Sequence, residues 1–567
     1  MLRTLLIIVL APPVALLVWL ALGPAAQRAD FVLTCNEPRT LDPQRVSWLD
    51  EIQLASAMFE GLTRLNAETF QPEPAVASRW EVSDDRLGYI FHLRAEARWS
   101  TGDAVTAEDF RFAWLRVLDP KSEVQYAHLL FVIRGAERYY RSRLDDDPAN
   151  DVSADEVGVR VPDPQTLEVG LAGPCTYFLD LTSFVTFSPN HRPTLERWAY
   201  RDGRVQRRTQ HLWTRPQHIV CNGAFVLTRW DFKQSLWLRQ NPYYWDAASI
   251  GVQTIEAWIT SDPNAALIAY ATGRVDLVRG LERSVAERLA RAQQAGARKD
   301  FHLVDRFATY FYRLNCRRPP LDNADLRKAL SLAIDREALC QHVLRLGEQP
   351  AYTYVPRPAL RLMPRTSPTG EMIYYQPPGG LGADLSYEDR VALARECLRR
   401  SGFERIAASR PIEIAFPPEP EQRLLAEAIQ AMWESALGIP VVLRSLEGKV
   451  LSTQIRDLDY DVARSDWFGD YLDPSTFLGM FTTDSGQNRT GWSDAEYDRL
   501  ITAAAAEPDD ARRFALFRAA EQVLCEEELP IIPIFFRRGN YVLRPCFEGL
   551  HDNVRDLLQI HRARLAR

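Results

Sequence analysis

Residues 77–120 constrain this chain most, because a strand, a glycine turn and a helix follow one another there with their own start and stop signals. Tyr89-Ile90-Phe91-His92-Leu93-Arg94 alternates apolar and polar side chains, the period of a half-buried strand. Thr106-Ala107-Glu108-Asp109 predicts a helix start, with Thr106 capping free N–H groups and Asp109 bonding back. Val105 and Phe110 occupy the staple positions. Phe110, Ala113, Trp114 and Val117 then recur at helical spacing, and Pro120 ends the helix. None of these residues is set up for catalysis. The whole stretch is folding chemistry.

A chain of 567 residues exceeds one core, and length alone predicts roughly three to four domains. The net charge of −7, with scattered arginines, argues against a nucleic-acid binder, which needs a basic face. The N-terminus stands apart. Met1-Leu2-Arg3 is a short positive start, and residues 5–22 then run uncharged, interrupted by Pro12-Pro13. Residues 1–29 are therefore expected to be an export segment, either a cleaved signal peptide or a retained membrane anchor. The rest is expected to be periplasmic or anchored to the outer face of the cytoplasmic membrane. Val32-Leu33-Thr34-Cys35 is no lipobox, and Cys35 is expected in the first strand. The eight cysteines form no CxxC or Cys/His cluster, so zinc and iron–sulfur readings fail. Export permits disulfides, but free cysteines are also at home when buried, and no pairing can be deduced.

Further along, residues 31–34 and 310–315 read as strands. Residues 50–62 read as a helix with Ile52, Ala55, Phe59 and Leu62 on one face. Asn222-Gly223-Ala224-Phe225-Val226-Leu227 joins a turn to a strand, and Asn241-Pro242-Tyr243-Tyr244-Trp245-Asp246 is an aromatic turn. Helices are expected over 325–334, 386–401, 421–437 and 509–527, and a functional or mobile loop over the Pro-rich run 356–378. Ser493-Asp494-Ala495-Glu496 is a second capping box. Residues 529–536 read as a buried strand whose two prolines suggest an edge or a bulge.

No GxSxG, HExxH or GxxxxGK[ST] motif is present. Gly380-Leu381-Gly382 lacks the third glycine and the preceding strand of a dinucleotide site. The nine histidines show no metal-binding spacing. Neither an enzyme nor a cofactor is predicted.

Several blocks carry a resemblance, in this order. They are Leu41-Asp42-Pro43, Phe59-Glu60-Gly61-Leu62, the 77–120 stretch, Asn222-Gly223-Ala224-Phe225, and residues 241–246, 320–335, 466–477 and 519–533. Together they resemble the oligopeptide/dipeptide-binding components of ABC transporters, extracytoplasmic solute-binding protein family 5, over residues 31–558. The resemblance implies an α/β, two-lobed periplasmic-binding-protein-like fold with an extra N-terminal subdomain and a ligand cleft between lobes. It divides the chain into lobe I (30–59, 186–308 and 537–567), the extra subdomain (60–185) and lobe II (309–536). It implies a monomeric receptor that captures short peptides or peptide-like solutes and delivers them to ABC transporter permease subunits. Two alternatives stay open: a non-peptide ligand such as a metal chelate, heme or sugar, and a membrane-tethered sensor or scaffold.

A buried peptide needs its backbone polar groups satisfied, a carboxylate for its ammonium terminus and a cation for its carboxylate terminus. Asp470, in Trp467-Phe468-Gly469-Asp470, matches the family's ammonium partner; the plain alternative is a turn or capping residue. Trp467 would pack on the peptide or in the core. Arg464 matches an arginine that takes the peptide carboxylate in some members, or is an exposed strand residue. Ser47, Trp48 and Leu49 occupy the stretch that pairs with the peptide backbone, with Trp48 bulkier than is usual there. Arg279-Gly280 occupies a segment that lines the site; Arg279 is unusual and either favours an acidic ligand group or faces water. The disulfide of the oligopeptide type falls on Ala308 and Phe468, so it cannot form.

Overall fold

The computed structural model describes residues 28–144, 150–201, 204–205, 211–362, 365–366, 372–403 and 410–566. The apolar run 5–22 lies outside the described residues. Strand β1 (Phe31–Cys35) and helix α1 (Leu49–Met58) come first. The 77–120 stretch then contributes β2 (Ala77–Val82) and β3 (Gly88–Leu93) to a four-stranded antiparallel sheet completed by β4 (Val159–Asp163) and β5 (Thr166–Gly170), ordered β2-β3-β5-β4. Helix α2 (Ala107–Val117) follows β3. The Asp109 carboxylate accepts from the backbone N–H and the hydroxyl of Thr106, at 2.8 and 2.9 Å. The face carrying Phe110, Ala113, Trp114 and Val117 is fully buried, and the Trp114 indole donates to the Phe187 carbonyl at 2.8 Å. Truncating such a tryptophan to alanine costs about 3–5 kcal/mol.

The remaining strands join β1 in one large sheet. They are β6 (Phe225–Asp231), β7 (Ser235–Gln240), β8 (Thr254–Ile259), β9 (Leu277–Arg279), β10 (Phe301–Leu314), β11 (Ile412–Phe416), β12 (Val441–Ser445), β13 (Val462–Phe468) and β14 (Ile531–Leu543). The order is β6-β7-β8-β1-β9-β14-β10-β13-β11-β12, and Gln349–Pro350 adds a short strand on β14. Strand β1 runs parallel to β8 and β9. The long strands β10 and β14 cross the middle, and their register slips: Asp305 faces Arg538, but Thr309 faces Phe536. Beyond the slip, β9 pairs only with the 541–543 end of β14, whereas β13 pairs with the 308–314 end of β10. Helix α3 (Pro263–Ala271) leads into β9, and helix α4 (Pro420–Leu437) packs on β11 and β12.

Four local expectations are refined. Helix α1 stops at Met58, not at residue 62. The Met58 carbonyl accepts the Gly223 N–H at 2.8 Å, and a Cβ on Gly223 would lie 2.6 Å from the Met58 carbonyl carbon, so the turn at Gly223 closes on the helix end. Glu60 is then held by Tyr244 and Trp245, each donating at 2.6 Å, and Leu62 enters the subdomain core. The cap of the helix Ala495–Ala506 is Asp494, not Ser493: its carboxylate accepts from the Tyr497 N–H at 2.7 Å. Strand β14 is central, not an edge; its proline is absorbed by a bulge, with Tyr310 facing Phe535 and Phe311 facing Pro533. All eight cysteines are free. Around the Pro-rich run, the Glu521 carboxylate accepts from the N–H groups of Tyr354 and Val355, both at 2.7 Å, and from the Tyr375 hydroxyl at 2.5 Å. Burial pushes that carboxyl up to about 7.

Candidate ligand clefts

Strand β13 ends by delivering Trp467 and Asp470 to one cleft of about 230 Å³. The turn that follows is fixed from both sides. The Trp467 indole donates to the Thr476 carbonyl at 2.8 Å, and the Thr476 hydroxyl accepts from the Asp470 N–H at 3.1 Å. The Gly469 N–H donates to the Phe307 carbonyl at 2.8 Å, and a Cβ on Gly469 would sit 2.3 Å from the Phe307 ring, so only glycine lets the chain pass. The cleft is completed by Tyr471 and by His128, Leu129 and Tyr177 of the 60–185 segment. Tyr177 stacks on Tyr471 with ring centres 3.9 Å apart.

Asp470 differs from the other acids of this turn. Among the described residues its carboxylate has no hydrogen bond or ion pair. Burial pushes it up to about 6, opposed by the charge of Arg555. Three residues on, Asp473 is buried and holds both nitrogens of the Arg513 guanidinium, at 2.8 and 2.6 Å. Burial also pushes His128 down, which keeps that wall neutral.

Leu49, Arg279 and Gly280 line a second cleft, of about 340 Å³, at the carboxyl ends of β1, β8 and β9. Ligands of open α/β sheets sit at such strand ends. Arg279 does not face water: its side chain is 10% exposed and pairs with Asp556 at 3.0 Å, while also donating to Gln53. Gly280 sits at φ +65° with open space where a Cβ would be. Burial pushes the Tyr126 hydroxyl up, and the charges of Asp470 and Glu51 add to that effect.

Three expected site residues line neither cleft. The N–H groups of Ser47 and Trp48 both donate to Glu51 at 3.2 Å, and the Ser47 hydroxyl accepts from Arg39 at 2.8 Å. Trp48 nonetheless exposes about half its surface, with the Arg39 guanidinium 3.9 Å over its ring. Arg464 pairs with Asp466 and donates to Gln422 at 2.9 Å, on the side of β13 that carries the Tyr310 ring. It is neither exposed nor free. Arg306 and Asp556, which complete the Arg279 group, carry no signal in the sequence, since 250 positions separate them. Ala308 and Phe468 face each other directly across β10 and β13, so the positions are as close as a disulfide needs although neither is cysteine.

Among the described residues, no helix is long and apolar enough to cross a membrane. The sequence model of bacterial extracellular solute-binding proteins, family 5 Middle, matches residues 71–489. The dipeptide-binding protein DppE of Bacillus subtilis is 31% identical over 530 residues, 93% of this chain and 90% of that protein. The Escherichia coli murein tripeptide binding protein MppA superposes with a TM-score of 0.77 at 27% identity, covering 96% of this chain and 99% of its own. The Haemophilus influenzae OppA complex with RPPGFSPFR gives 0.75 at 25% identity, covering 96% and 100%. The two-lobed α/β architecture and the motif order thus have one source: the chain belongs to the bacterial extracellular solute-binding proteins of family 5.

Proposed function

We propose that this protein is the extracytoplasmic receptor of an ABC importer, which encloses a short peptide or peptide-like solute between two lobes and presents it to permease subunits. The observation that carries the reading is the Asp470 carboxylate: half-buried, without a partner among the described residues, and beside Trp467 in a cleft. A carboxylate drawn out of water favours a cation brought by the ligand. Trp467 supplies an apolar wall for the first residues. In this reading lobe I and lobe II lie on either side of residues 306–308 and 537, and the register slip between β10 and β14 there supports a hinge at that point. Closure is stabilised only as far as the ligand touches both lobes. The receptor acts as a monomer outside the cytoplasm, returns its ligand chemically unchanged and does not bind nucleic acid.

Mass spectrometry of solute released from protein purified without refolding tests the reading directly. Peptides are the expected content. Recovery of a heme, sugar or metal chelate instead, with no peptide binding in calorimetry, overturns it.

A further inference from the structure

The portion of the chain assigned to lobe I carries a second charged feature that the ammonium site does not use. Arg279 of β9 and Arg306 of β10 both line the 340 Å³ cleft, and both converge on one carboxylate, Asp556. Two guanidiniums on one carboxylate leave a positive charge uncompensated within the group. Among the described residues, the Nε atoms of Arg279 and Arg306 are both buried with no hydrogen-bond partner. Native interiors keep few such donors. The Asp556 carboxylate is held in place by these two ion pairs.

The other acids of this cleft are committed. Asp50 accepts from the backbone N–H and side-chain amide of Asn36, at 3.0 and 2.8 Å. Asp262 accepts from the Asn264 N–H at 2.9 Å. Each lies at the start of a helix, α1 or α3, where free N–H groups offset a negative charge. A backbone contact links the cationic group to the ammonium site: the Gly469 N–H donates to the Phe307 carbonyl, so Arg306 and Asp470 flank one hydrogen-bonded pair. Arg464, by contrast, already holds Asp466 and lines neither cleft.

We propose that Arg279 and Arg306 receive a carboxylate of the ligand, in place of Arg464. The inference rests on the peptide-receptor reading above. It makes the preferred ligand a short peptide carrying a free ammonium at one end and a carboxylate further along. That carboxylate is either the C-terminus or an acidic side chain, the recognition chemistry being the same.

Calorimetry with the full chain and four peptides separates the sources: trialanine, its C-terminal amide, Ala-Glu-Ala amide and Ala-Gln-Ala amide. In the unaltered protein the acid of at least one pair is expected to bind about tenfold tighter than its neutral counterpart, the scale of a charged hydrogen bond. The first pair reports the C-terminus, the second a side chain. In Arg279→Gln that ratio is expected to fall below about threefold, while Arg464→Gln and the charge-keeping Arg279→Lys retain it. The ratio is internal to each protein, so a general loss of folded protein does not imitate the result; if Arg279→Gln does not fold, Arg306→Gln takes its place. Peptides that bind with no preference for a carboxylate, or a preference lost in Arg464→Gln and kept in Arg279→Gln, overturn this inference and leave the receptor reading standing. Binding of none of the four overturns both.

Discussion

Strand β13 has two unlike surroundings, and their contrast says what charge is for in this protein. Behind the strand, Arg464 pairs with Asp466, and Arg537 pairs with both Asp466 at 2.8 Å and Glu421 at 3.2 Å. Arg283 then reaches Glu421 at 2.7 Å and Glu348 at 2.8 Å. Every member of that row has a partner of opposite sign. At the end of the strand, Asp470 has none among the described residues, although it is drawn out of water. Paired charges of this kind hold the architecture in register. An unpaired carboxylate in a cleft costs stability, and under the proposed function a ligand cation relieves that cost.

The largest effect should come from breaking a paired site. Arg513→Ala leaves Asp473 buried without its counterion, and denaturant unfolding should show about 3–5 kcal/mol lost. Retained stability would mean that the turn does not depend on that pair.

Asp470→Asn should behave oppositely. Stability at neutral pH should hold or rise. Affinity for peptides with a free ammonium should fall by about 2–3 kcal/mol in calorimetry, and affinity for N-acetylated peptides should barely change. Equal losses for both peptide types would remove Asp470 from the role assigned to it.

A pH series sharpens the same contrast. Asp470 titrates near about 6 in the fold, raised by burial from the ordinary 3.8. Its protonated form therefore favours the folded state: that contribution is complete below about 3.8 and is lost as pH rises through about 6. Binding of an ammonium needs the ionised form, so affinity should weaken by about tenfold for each pH unit below 6. A flat affinity profile from pH 7 to about 4.5 would contradict the ammonium role.

Arg464→Gln should do least. About 1 kcal/mol of stability should go with the Asp466 pair, and peptide affinity should stay within about twofold.

Local elements were legible in the sequence wherever neighbours along the chain define them. The Thr106–Asp109 cap and the buried face of α2 follow from spacing alone, and both stand as read. Errors fall where a distant segment intervenes. Gly223 closes on the end of α1, which no pattern within residues 50–62 reports. For Pro533 the sequence left an edge or a bulge open, and pairing with β10 decides it: β14 is central and bulges at Ile534. The site was legible in part. The WxxD run brought Trp467 and Asp470 together as expected, because four consecutive residues share one turn. For Arg464, on the same strand, no local pattern reports its partners Gln422 and Asp466, and Gln422 comes from helix α4.

The sequence by itself determined the elements, their order and the family, because helix and strand periods, caps and turn residues act over a few positions. Which charges are free was decided only by the tertiary structure. Asp470 and Asp473 are the same residue type three positions apart; Arg513 reaches one and not the other. Arg279 becomes a buried cation only because Gln53, Arg306 and Asp556, from three distant parts of the chain, gather around it. A charge is neutral, paired or available according to what lies within hydrogen-bond distance of it, and that distance is set by the folding of the sheet.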